Sequence, residues 1–317
     1  MTQSISAAIH IRGPSIQCAE IGREDSTLQL RRLDSTTVDL DGRGVLWDAD
    51  GVPDALDRVG TFAQDALEDT EASAIALVVH PLEVYSFFVP IPAGLSERER
   101  GQRIAYQAAL VTNTRSPNAL HITSRSVRTV EVGGETVEWV HVLAVPQVIE
   151  ELQDALRAAL PVQDFVRMVS TEAVASLTGR AETEEDLLPE NKLPENEGDY
   201  GLAIGHYPTY IEYALTHEET WFHAHAAREA RRPKNQAYYA VGLLNRIGVP
   251  VSEVCGLSLY GPGADAAATV PLETIFDCSP VSLDPFGVLR WASEQPENEA
   301  PGACAPCIGG ALRVQSA

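Results

Sequence analysis

The order strand, tight turn, strand, strand, helix, strand occurs twice in this chain, and that duplication restricts the available folds more than any other feature. Ile5 to Arg12 and residues 15–21, with Ile16, Cys18 and Ile21, read as two strands around a tight turn at Gly13-Pro14. Thr27 to Leu33 alternates as a third strand, and Leu56, Val59, Ala63 and Leu67 recur at helical spacing after Pro53. Ser73 to Val79 is a continuous apolar run, the pattern of a strand buried on both faces. The order returns beyond residue 200. Strands at 200–205, 209–216 and 219–225, the first two joined by Gly205-His206-Tyr207-Pro208, precede a helix from Asn235 to Ile247 and a strand from Val254 to Tyr260. Two similar lobes facing a cleft are the expected result.

Between the repeats, residues 84–163 have a rhythm of their own. A strand Val84–Ile91 leads to Ser96-x-x-Glu99, a capping-box signature that opens a helix to about Thr112. Strands near 119–131 and 135–145 flank Gly133-Gly134, and Pro146 starts a helix striped by Ile149, Leu152, Leu156 and Leu160. These eighty-odd residues read as an α+β insert. A strand Phe165–Val169 and a helix 170–179 follow. Of the 19 residues at 181–199, 8 are acidic and two are proline, which reads as an exposed linker.

Charge narrows the function. Asp and Glu number 45 against 23 Lys and Arg, a net −22, which argues against a nucleic-acid or anionic-membrane partner. Just two cations are lysine, Lys192 and Lys234; neither is followed by Ser or Thr, so no P-loop is present. An acidic, lysine-poor surface of this kind suits a high-salt cytoplasm. The denaturation midpoint is therefore expected to rise toward molar KCl, and a midpoint flat in salt would remove the idea. Met1-Thr2-Gln3-Ser4 carries no basic leader, no window approaches a membrane-spanning run, and five scattered cysteines fit reduced thiols, so a cytoplasmic protein is expected.

Several segments together resemble the PilM family, in the FtsA and PilM branch of the actin-like proteins. Val89-Pro90-Ile91-Pro92, Leu95 to Glu99 and Ile104 to Ala108 resemble the PilM stretch in which a proline-ended strand enters a Ser-Glu-x-Glu helix. Val142 to Pro146 with the following helix, and Val166 to Leu177, are similar to its next strand–helix–strand–helix. Leu283 to Phe286 and Cys307 to Arg313 are similar to its closing elements. The resemblance implies an α/β, two-lobed actin-like fold. Residues 1–83, 164–180 and about 284–317 would form the first lobe, 84–163 an inserted α+β subdomain, 181–199 a linker and 200–283 a shortened second lobe. It further implies a cytoplasmic scaffold of type IV pilus assembly, held at the inner membrane by the cytoplasmic tail of a PilN-like protein and meeting other pilus assembly proteins, with self-association left open.

Many members bind ATP between the lobes, where an Asp-x-Gly turn of each lobe serves phosphate and Mg²⁺. The matching first-lobe positions hold His10 and Arg12, next to Gly13 and Ser15; the second lobe keeps Gly205 but has Ala203 in place of the acid, followed by Thr209. Tyr260-Gly261-Pro262-Gly263-Ala264 is similar in outline to the adenosine-side turn, with one backbone donor removed by proline, and reads more simply as a plain Gly-rich turn after a strand. These nine positions, His10, Arg12, Gly13, Ser15, Ala203, Gly205, Thr209, Gly261 and Gly263, read as a vestigial nucleotide site in a pseudo-ATPase with no cofactor. One alternative is a working ATPase that uses Ser15 and Thr209 for phosphate and a carboxylate from elsewhere for Mg²⁺. Another is the cytoplasmic module of a type II secretion assembly, against which the end of the chain at Ala317 without a membrane span is set.

The remaining constellations have plainer readings. Cys304-Ala-Pro-Cys307 has metal or redox spacing without a second ligand pair and reads as core thiols ahead of a buried helix. His223-Ala-His225 reads as an exposed strand face, and His217-Glu218-Glu219 as a solvated turn. Arg228, Arg231 and Arg232 form the one basic cluster in the sequence, suited to an acidic partner or to a solvated loop.

Overall fold

In the computed structural model of the chain, the residues described are 4–24, 27–37, 52–81, 84–114, 119–160, 162, 164–178, 200–218, 220–228, 233–264, 270–291 and 300–315. The linker at 181–199, with Arg231 and Arg232, lies outside them.

The first sheet is built from β1 (Ser4–Arg12), β2 (Ser15–Glu24) and β3 (Thr27–Thr37), an antiparallel meander, to which β4 (Ala74–Val79) and β8 (Asp164–Val169) add in parallel beyond β1. A two-residue strand, β14 (Arg290–Trp291), closes the β3 edge. The second sheet repeats the plan: β9 (Tyr200–His206), β10 (Ile211–His217) and β11 (Thr220–Ala227) form the meander, with β12 (Val254–Tyr260) and β13 (Val281–Ser282) parallel beyond β9. Both orders are 3-2-1-4-5 in the numbering of each half, the physical form of the duplicated pattern. Gly13 turns the first hairpin at φ +52°.

The insert sheet has the order β5 (Ser86–Pro92), β7 (Glu135–Pro146), β6 (Leu120–Val132). Gly133 and Gly134 take φ +61° and +85°, as a two-residue hairpin turn requires. Helix α2 (Glu97–Val111) covers one face, and its capping box is complete: Ser96 Oγ accepts from Glu99 N–H while the Glu99 carboxylate accepts from Ser96 N–H. Val89, Ile91, Ile104, Val140 and Val142 form the insert's small core.

Helix α3 (Gln147–Ala159), which the sequence reading puts in the insert, turns its stripe of Ile149, Leu152, Leu156 and Leu160 into the first-lobe core beside α1 (Val52–Ala66). Its apolar face finds a larger buried surface there than the three-stranded insert offers. Helices α4 (Ser170–Thr178) and α7 (Pro301–Gln315) pack on each other, α7 crossing β1, β2 and β4. Their core mixes residues of both lobes, Ala8, Ala76 and Ala203 among them. The lobes thus share a core. Helices α5 (Pro233–Ile247) and α6 (Val270–Phe276) cover the outer face of the second sheet.

Candidate functional site

His10 stands near the carboxyl end of β1, where open α/β sheets carry their ligands. It is opposite Gln17 in the hairpin register, and its Nδ1 lies 3.0 Å from Gln17 Oε1. On the neighbouring parallel strand the chain leaves β4 at His80, whose Nε2 is 2.8 Å from His10 Nε2, so one hydrogen is shared between the rings. Burial, followed by the proximity of His80, holds the His10 pKa well below the ordinary imidazole value.

The second lobe answers with Glu212. It is an acidic residue, second in β10 and followed by Tyr213, Ala214 and Leu215, and it is fully buried. His80 Nδ1–H donates to Glu212 Oε2 at 2.8 Å, Ser170 Oγ–H sits 2.9 Å from both carboxylate oxygens, and Tyr260 and Tyr207 donate to Oε1 at 2.7 and 3.3 Å. Ser170 opens α4, so that helix's positive end also faces the carboxylate. A buried carboxylate costs several kcal/mol to desolvate unless it is paired, and four donors from two lobes supply that pairing.

Gly205 makes the meeting possible. It is paired with Glu212 on one side and Tyr260 on the other, and a Cβ there would lie 2.7 Å from Glu212 Cγ and from the Tyr260 ring. The missing side chain admits the protein's own carboxylate and phenol. Ala203 is buried in the shared core, Arg12 lies over the Tyr207 ring at 5.5 Å, Ser15 closes the first hairpin opposite Arg12, and Thr209 is exposed.

The turn after β12 is tied down as well. Gly261, at φ +88°, donates its N–H to the Gly302 carbonyl at 2.8 Å, and Gly263 N–H donates to the His206 carbonyl at 3.0 Å. The first of these bonds depends on Pro306. Proline lacks the N–H that would have bonded the carbonyl four residues earlier in α7, and that carbonyl is Gly302's. Cys304 and Cys307 lie inside α7, not ahead of it. Both are buried and neither is in a disulfide, Gln17 is 3.8 Å from Cys304 Sγ, and burial pushes the Cys307 thiol well up.

His223 overturns the exposed-face reading. It is buried where the insert meets β11, packed against His141 at 5.1 Å and Phe88 at 5.8 Å, while His225 stacks on Tyr213. Among the described residues, no group of three or more His, Cys, Asp or Glu is arranged to hold a metal ion. Burial, then Arg125's charge, lowers His141 to about 4; burial, then His141, lowers His223 to about 3. A histidine with a depressed folded pKa is neutral in the fold and charges first in the unfolded chain. Its contribution is therefore complete above about pH 6.5 and is lost as pH falls toward the folded values. We expect these two histidines together to remove about 4 kcal/mol between pH 7 and pH 5, read from urea midpoints in molar KCl, where charge repulsion is screened. The His223→Gln variant should show a flatter slope; an unchanged slope would mean that His223 is not the titrating group.

Arg228 is exposed, but the fold brings together a cationic pair that spacing does not show. Arg125 of β6 and Arg167 of β8 line one cavity of about 280 Å³ where the insert, the first lobe and β11 meet.

Among solved structures, the chain is similar to one described as the PilM-PilN type IV pilus biogenesis complex, with 15% identity, 98% of each chain covered and a TM-score of 0.56. The fold is PilM-like. Weaker likenesses are to a Bacteroides thetaiotaomicron protein with an actin-like ATPase fold (10% identity, 89% of this chain and 91% of that one, TM-score 0.45) and to the cytoplasmic domain of EpsL of the Vibrio cholerae type II secretion system (11%, 99% and 94%, 0.43). No family model and no curated protein matches the sequence. Among the described residues of this PilM-like chain, no helix is long and apolar enough to cross a membrane.

His10, Arg12, Ala203 and Gly205, which all lie at or beside this interlobe network, were singled out from the sequence. Glu212, His80, Ser170 and Tyr260 were not. The one available signal was a glutamate inside the apolar run Ile211 to Leu215.

Proposed function

We propose that the chain is a cytoplasmic scaffold of a type IV pilus or related assembly machine. It docks the cytoplasmic tail of a PilN-like inner-membrane protein, stays at the membrane through that partner, and works without hydrolysing ATP. The observation that carries the last part is the seat of Glu212. Its carboxylate, with Tyr260 and the His10–His80 pair, takes the space over Gly205 into which a phosphate would have to come. The donors of the adenosine-side turn are already used on Gly302 and His206. These residues do not fit a phosphate with its Mg²⁺: a fixed anion repels phosphate, and Glu212's own oxygens are saturated by protein donors. Docking of a tail peptide is supported by the PilM-like fold and by the cavity between insert and first lobe, at which the outermost strands β6, β8 and β11 meet.

Titration calorimetry with Mg-ATP in molar KCl is expected to give no heat, and millimolar Mg-ATP no thermal shift. A synthetic tail from the PilN-like protein of the same cell is expected to bind at micromolar concentration or tighter. Micromolar ATP binding would return the chain to the ATP-switched class, and a tail peptide silent in both low and molar salt would remove the scaffold reading.

A further inference from the structure

The cavity at the junction of insert and lobes carries a chemistry of its own. Strands β6, β8 and β11 each lie at the margin of their sheet, and the residues facing the cavity come from all three: Thr123 to Arg125, Arg167 to Val169, and Trp221. Three strand margins meet at one hollow, although the β11 carbonyls of Phe222 and Ala224 are already taken by Arg125 and Ser86, so side chains and not the main chain give the site its chemistry.

The charged groups point to which segment. The chain holds 45 acidic residues, yet among those described Arg125 has no carboxylate partner. Its Nη2 donates to the Phe222 carbonyl and reaches His223, both uncharged partners, and its guanidinium is held over the Phe222 ring at 5.5 Å. Among the described residues the one carboxylate that Arg167 reaches is Glu150, at 4.0 Å, and Glu172 on the same wall is drawn to Arg313 at 3.7 Å. The buried Trp221 Nε1–H has no hydrogen-bond partner among the described residues. Two under-partnered guanidinium groups and a spare indole donor, beside the aliphatic wall of Val145 and Met168, form a seat for an anionic group next to an apolar one.

We infer that this cavity takes an acidic side chain of an extended partner peptide, held by Arg125 and Arg167 with the neighbouring aliphatic side chain on Val145 and Met168. The inference rests on the tail-docking reading and adds the chemical class of residue that the site selects. Net −22 elsewhere does not oppose it, because at physiological salt charges beyond about 8 Å are screened while contact pairs persist.

The test uses the full chain and fluorescence anisotropy with labelled synthetic tail peptides of the PilN-like protein. At each position in turn one peptide carries Asp and its twin Asn. At one position the Asp peptide is expected to bind at least tenfold tighter than its Asn twin. That ratio should fall below about twofold in Arg125→Gln and in Arg167→Gln. The exposed rim variant Ser124→Glu, which leaves both arginines in place, should lower the ratio as well and covers the case in which an arginine variant fails to fold. Peptides that bind with no Asp preference at any position, or a preference unchanged in all three variants, would overturn the anionic seat and leave tail docking standing. Failure of every peptide to bind would overturn the docking reading and this inference with it.

Discussion

Replacing Glu212 by alanine is expected to cost about 3–5 kcal/mol of stability, among the largest effects of any single substitution in the molecule. The substitution does not simply delete a carboxylate. It strands the Tyr260 hydroxyl, the Ser170 hydroxyl and the His80 N–H in a site closed to water, and each buried donor left without an acceptor carries its own desolvation cost. Glu212→Gln keeps the shape but turns one acceptor into a donor facing donors, so an intermediate loss of about 2 kcal/mol follows. Arg100–Glu138, a half-exposed ion pair at 3.2 Å on the insert, is the comparison: Glu138→Ala should cost no more than about 1 kcal/mol. Urea midpoints of the three variants decide the matter. A Glu212→Ala loss as small as that of Glu138→Ala would mean that the interlobe network is not what holds the lobes together.

Gly309→Ala is expected to cost at least about 2–3 kcal/mol, against the sign that helix propensity predicts. In a helix interior, glycine to alanine ordinarily gains about 1 kcal/mol. At this position a Cβ would stand 2.2 Å from the Ala173 carbonyl oxygen, and a backbone atom of α4 cannot rotate away. At the next position, Gly310, a Cβ would lie 2.5 Å from Val78 Cγ2. The two glycines set the close approach of α7 to α4 and β4, through which α7 also receives the Gly261 bond from the second lobe. Gly101→Ala on α2, where nothing lies within 4 Å, is the control and should stabilise by about 0.5–1 kcal/mol. Thermal denaturation of the two variants should move in opposite directions; a shared upward shift would show that α7 is free to retreat.

Both predictions bear on the function. Lobes that share a core and meet through Glu212 favour the scaffold proposed above, in which a groove is presented without opening and closing around a nucleotide.

Much of the local structure was readable before any tertiary contact was known, because it depends on short-range chemistry. The Ser96–Glu99 box, the Gly133-Gly134 turn, the apolar run of β4 and the 3.6-residue stripe of α3 are each decided within a few residues. The repeated order of elements carried the two-lobed plan, and the residues at 10 and 203 drew attention to the place where the lobes meet. What α3's stripe packs against, and whether His223 faces water, were decided by competition among distant surfaces for burial. The same holds for the two sites. His10, His80, Ser170, Glu212 and Tyr260 are spread over 250 residues, and Arg125 and Arg167 lie on different sheets. A polar network is specified by where strand ends meet in space, and for that meeting a sequence holds no spacing rule: only the packed fold brings a carboxylate to its donors.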